Sequence, residues 1–212
     1  MSALEQFISG NELLRLSEQR AVALIEQNHS PEYTYHDLAH TYSVASYAFA
    51  LGKQENVSSV ELVHLVIAAL FHDTGYFEST NEHEQIGAEY AAQFLQKQDV
   101  SERDVEVICE MILKTKVTTT PETLLQKILC DADLSYLGNE AFFSLVERLR
   151  LEWQLTGRKN FTEIDWIRQN IDFFEQHQYY TSSAQHHFDH VKQAHRNQME
   201  SDLRALNGSN NS

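Results

Sequence analysis

His72 and Asp73 stand together at the end of an apolar run, Leu65-Val66-Ile67-Ala68-Ala69-Leu70-Phe71, and Thr74-Gly75-Tyr76 follows. Imidazole and carboxylate are hard to bury unless paired or bound to a metal. Both are good ligands for Mn, Fe, Ni or Zn. Neighbours on a helix diverge by about 100°, so the two can reach one ion only at a helix end, where Gly75 supplies backbone freedom. Three more residues of suitable type lie at workable distances: His40 upstream, His83 just downstream and Asp133 well downstream.

His36 and His40 are four apart, which puts both on one face if they share a helix. Such a pair can serve one metal, or divide its work, one ring on the metal and the other poised as an acid. Read blandly, they are two surface histidines near a helix start. Asp131 and Asp133 follow Ile128-Leu129-Cys130 and precede Leu134, Tyr136 and Leu137. A carboxylate there is a helix cap or a ligand. We expect Asp131 near the cap and Asp133 turned inward, although spacing leaves open which one binds.

Positioning these residues falls to helices. The chain of 212 residues has 7 Gly and 2 Pro and few stretches of period-two alternation, so the expected class is all-α. Asn11 can cap a helix ending near Asn28, and a second is expected over His36 to Leu51. Ser58 with Glu61 forms a capping box opening the helix that ends at His72-Asp73. Ser101 and Thr162 can cap later helices, Pro121 suits a first helical turn, and Asp131-Ala132-Asp133 reads as a short link. No repeat or linker is evident, which gives one domain over residues 1–206 and a disordered tail over 207–212.

Composition narrows the function. A formal net charge of −15 argues against a nucleic-acid or anionic-membrane surface, though a bound divalent ion would reverse the sign locally for an anionic substrate. No run of 18 apolar residues occurs, nor a basic segment followed by an apolar one, so neither a membrane span nor a signal peptide is expected. Cys109 and Cys130 sit among apolar neighbours outside any CxxC pattern and read as reduced core thiols of a cytoplasmic protein. The apolar C-terminal half, with Trp153, Phe161, Trp166 and Phe173, leaves room for a homo-oligomer.

The ordered set His40, His72-Asp73, Asp133 resembles the H…HD…D pattern of the HD-domain superfamily of metal-dependent phosphohydrolases. Ala68 to Tyr76 resembles its central motif, and Asp131-Ala132-Asp133-Leu134 resembles its last, where the second Asp is the ligand. Tyr35-His36-Asp37-Leu38-Ala39-His40 resembles the Tyr-His-Asn-x-x-His segment of cyclic-nucleotide phosphodiesterases, with Asp37 in place of the Asn. The resemblance spans roughly residues 33–140 and implies an HD helical bundle with extra C-terminal helices. It also implies a divalent ion (Mn, Mg, Zn, Fe or Ni) on His40, His72, Asp73 and Asp133. Asp73 could accept a proton from the attacking water, and His36 would protonate the leaving oxygen. With only His83 between His72-Asp73 and Asp133, one firmly held ion is expected and a second, weaker one is left open.

His83 could contact phosphate or that second ion. Lys116, four after Ile112, is expected on the inward side as a phosphate contact, ahead of Lys114, Arg148 and Arg150. His186, His187, His190 and His195 read as a polar helix face. The implied substrate is a small phosphate ester, a nucleotide or cyclic nucleotide, with monoester against diester open. The alternative is a non-catalytic HD module that senses metal or nucleotide for a protein partner. A di-iron oxygenase of this fold is disfavoured.

Overall fold

The structure, a computed structural model, describes residues 1–209. Every regular element among them is helical: α1 (Ala3–Ser9), α2 (Glu12–Asn28), α3 (Leu38–Gln54), α4 (Ser59–Phe71), α5 (His83–Gln96), α6 (Glu102–Leu113), α7 (Leu124–Asp133), a 3₁₀ turn (Leu134–Gly138), α8 (Phe142–Leu155), α9 (Glu163–Gln176) and α10 (Ser182–Ser209). The all-α expectation holds. No helix among the described residues is long and apolar enough to cross a membrane.

Side-chain caps set several of these boundaries. Asn11 accepts from the Leu14 N–H, and Ser58 and Glu61 close a reciprocal box on α4. Asp37 caps α3 by accepting from the His40 N–H at 2.9 Å. The helix therefore begins at Leu38, not at His36, and the two histidines do not share it. Thr123 and Gln126 form a second reciprocal pair, so α7 starts at Leu124 and Pro121 lies ahead of it. Asp131 to Asp133 is the final turn of α7, not a link. Helix α10 continues to Ser209, past the expected start of a tail at Asn207, and residues 210–212 lie outside the described residues.

The chain divides into two compact units. One comprises Met1–Ser30 with His36–Asp133, the other Pro31–Tyr35 with the residues from Leu134 onward. In the first, α4 packs against α2, α3, α5, α6 and α7. That explains its unbroken apolar sequence: Leu65 to Ala69 and Phe71 are wholly inaccessible, each large side chain contributing about 1.5–3 kcal/mol of burial. A Cβ on Gly75 would meet the His83 carbonyl and Ile86 Cβ at 2.6 Å each. Its role is this close approach, which lays the start of α5 on the turn after Asp73.

The second unit has an aromatic core of Leu137, Phe142, Val146, Trp166, Phe174 and Met199. Phe142 packs on Phe143, Phe174 and His195 at centroid distances of 4.9–5.1 Å. His195 is a core residue, its Nδ1 2.9 Å from the Leu137 carbonyl, while His186, His187 and His190 are exposed. Arg148 donates to the Thr34 carbonyl and Arg150 to that of Phe161. Cys109 and Cys130 are both free thiols.

Candidate metal centre

Three helix ends in the first unit deliver the groups. His40 comes from the first turn of α3, Asp133 from the last residue of α7, and His72 with Asp73 from the end of α4. The His72 Nε2 lies 3.3 Å from the His40 Nε2. Asp73 Oδ2 is 3.1 Å from the first nitrogen and 3.2 Å from the second, and Asp133 Oδ1 is 3.5 and 3.4 Å away. Ligand atoms of His40, His72 and Asp133 all lie within 4.8 Å of one another.

The donor set fits a cation on chemical grounds. His72 is wholly buried, and its Nδ1 donates to the Ala69 carbonyl at 2.8 Å. That bond commits its Nε2 lone pair to the centre. A second imidazole nitrogen and two carboxylate oxygens face the same point, and an acceptor among acceptors is stable only around positive charge. Donors about 2.1 Å from a shared ion stand about 3.0–3.4 Å apart, close to the spacing here.

Protonation tells the same story. Burial works to lower the His72 and His40 pKa values, but Asp73 and Asp133 outweigh it, and both end raised, His72 far above its ordinary value. Burial works to raise the two carboxyls. The histidines reverse it, holding Asp73 well below the carboxylate range and Asp133 at about 2. The cage retains positive charge, as protons or as a divalent ion in their place.

Around the cage stand further groups. His36, just ahead of the Asp37 cap, has its Nε2 3.9 Å from Asp73 Oδ2. His83 opens α5; its Nδ1 lies 3.1 Å from the Thr80 carbonyl, and its Nε2 is 3.5 Å from Asp73 Oδ1 and 3.4 Å from Glu84 Oε1. The structure thus gathers His36, His40, His72, Asp73, His83 and Asp133. Lys116 lies beyond the end of α6 and is exposed, so the inward position expected from helical spacing does not apply. Its ammonium donates to the Asn81 carbonyl, 3.8 Å from Glu84 Oε2. Lys114 pairs with Glu122. Asp131 is wholly buried two residues before Asp133 but outside the clustered ligand atoms.

Two neighbours escaped sequence reasoning. Glu84 is buried, and its Oε2 has no hydrogen-bond partner among the described residues. In the acidic run Asn81-Glu82-His83-Glu84 nothing distinguishes it from a solvated glutamate. Tyr76, inaccessible and stacked on His36, was legible only as part of the motif.

Residues 37–135 match the family model described as HD domain. No curated protein matches the chain. Among solved structures it is similar to a predicted HD superfamily hydrolase from an uncultured Thermotogales bacterium, at 23% identity and a TM-score of 0.54, over 77% of this chain and 90% of that one. It is also similar to Bacillus subtilis YpgQ, solved in complex with ADP, at 16% identity and a TM-score of 0.60, over 91% and 97%. These two are likenesses of fold. The HD-domain match is carried by residues 37–135, which include His40, His72, Asp73 and Asp133.

Proposed function

We propose that the protein is a metal-dependent phosphohydrolase acting on a small phosphate ester, a nucleotide or cyclic nucleotide. The observation that carries this reading is the convergence of His40, His72, Asp73 and Asp133 on one point within an HD domain. The four residues would hold a divalent ion. When bound, such an ion polarises a phosphoryl oxygen and lowers the pKa of bound water toward neutrality.

The remaining chemistry belongs to the chain. Water attacks phosphorus as the bond to the leaving oxygen breaks. Asp73, its second oxygen 3.5 Å from the His83 Nε2, would accept the water's proton. His36, set off from the four ligands, gives a proton to the leaving oxygen, a general-acid role that imidazole side chains commonly fill. His83 and Lys116 would contact the phosphate, with the Glu84 carboxylate 3.4 Å from the His83 Nε2 and 3.8 Å from the Lys116 ammonium. The ADP bound to YpgQ supports a nucleotide substrate.

The test is hydrolysis by protein stripped of metal and refilled with Mn, Mg, Zn, Fe or Ni in turn. Substrates are bis-p-nitrophenyl phosphate, p-nitrophenyl phosphate and a panel of nucleotides and cyclic nucleotides. Metal-dependent turnover absent from Asp73→Ala is expected, and the diester-to-monoester ratio assigns the subclass. No turnover with any metal, despite a bound ion, would favour the sensing module.

A further inference from the structure

Tyr76 is one of the largest wholly buried side chains of the protein, at 2% exposure, although it lies in the turn directly after the metal-binding pair. Its backbone N–H closes that turn onto the Asp73 carbonyl at 3.0 Å. Its ring lies flat on the His36 imidazole, with centroids 3.6 Å apart and planes 17° apart. The same ring meets His83 edge-on at 5.1 Å and 67°. On another side, the His40 ring packs near-perpendicular to His36 at 5.7 Å.

This geometry matters because His36 precedes the Asp37 cap and lacks the rigidity that α3 gives His40. A histidine ring outside a helix has two side-chain torsions to restrain before it can deliver a proton in one direction. A flat partner at van der Waals distance removes rotation out of the plane, and the perpendicular His40 limits sliding within it. We propose that Tyr76 is a positioning residue that holds His36 for proton transfer to the leaving group. This rests on the assignment of His36 as the acid. Tyr76 acts through its face, so its hydroxyl is dispensable to the role.

The dependence on leaving group tests this. A p-nitrophenolate leaves without protonation, whereas an aliphatic alkoxide needs the acid. The comparison therefore uses a matched pair of esters of whichever class the protein turns over, with metal-loaded full-length protein. Tyr76→Leu is expected to lose about 10–100-fold in kcat on the aliphatic ester. It should lose less than about threefold on the nitrophenyl ester, with KM and metal content kept. Tyr76→Phe, which retains the flat face, is expected to restore the aliphatic rate.

Equal losses on both esters, no loss on either, or failure of Tyr76→Phe to restore would overturn the proposal. Should leucine prevent folding, Tyr76→Met keeps a long apolar side chain without a flat face and gives the same comparison; Tyr76→Phe remains decisive by itself if it loses the aliphatic substrate selectively. His36→Ala separates the two levels of inference. If it shows no leaving-group selectivity, the acid assignment fails; if it does and Tyr76→Leu does not, only the positioning role fails.

Discussion

His72 and His177 are both withdrawn from water, and their protonation moves in opposite directions. His177, in the second unit, has aromatic neighbours in Phe173 and Tyr179, and its Nδ1 has no hydrogen-bond partner among the described residues. Burial, with Lys192 adding to it, brings its pKa down to about 3. His72 is more deeply buried, yet Asp73 and Asp133 carry it far above the ordinary value. Burial sets the cost of charge, and the partners decide its sign. In the first unit two carboxylates face the buried histidine; in the second, His177 has aromatic rings and the Lys192 ammonium as its neighbours.

The contrast breaks most completely at Asp73. Asp73→Ala removes a carboxylate from both histidines and a ligand from the cage, so turnover should fall by at least about 10⁴-fold, equivalent to more than 5 kcal/mol. Metal content should fall with it, as measured by steady-state assay and elemental analysis of the same preparation. Retained turnover would remove Asp73 from the chemistry.

His36 tests where the cage ends. His36→Ala should lower kcat on an ester with an alkoxide leaving group by about 10²–10³-fold while metal stays bound, since its nitrogen stands 3.9 Å from Asp73. Loss of metal in this variant would make His36 a ligand and not an acid.

The second unit gives a pH effect of smaller size. The folded pKa of His177 is depressed, so below pH 6.5 the unfolded chain takes a proton that the folded chain refuses until about pH 3. Stability contributed by neutral His177 is therefore lost as pH falls through that window, at up to about 1.4 kcal/mol per pH unit. His177→Phe should flatten the acid limb of a denaturation series between pH 6.5 and 4; an unchanged slope would show that His177 is not held neutral. Lys192→Met should move that limb least, because burial is the larger cause and Lys192 the smaller.

What the sequence revealed follows from how locally each feature is encoded. Asn11, Ser58, Ser101 and Thr162 each cap the helix expected of them, because a cap bonds within three residues. His72-Asp73 was legible because an apolar run must end somewhere and ended in ligands. His36 stands outside the helix that its spacing from His40 suggests, because the Asp37 side chain captures the His40 N–H and starts the helix later. Glu84 and the true setting of Lys116 depend on the approach of α5 to Gly75, a tertiary contact without a local signature. The division at Asp133 was hidden because no composition change marks it; the final turn of α7 leads directly into the 3₁₀ turn.

The most direct test is metal stoichiometry by elemental analysis after exhaustive dialysis, comparing the wild-type protein, His72→Ala, Asp133→Ala and a His186→Ala, His190→Ala double variant. The cage described here should retain one tightly held divalent ion per chain in the wild type and the double variant, and lose it in the two single variants. An ion that persists in His72→Ala and Asp133→Ala, or disappears with the exposed histidines of α10, would contradict the assignment of this centre.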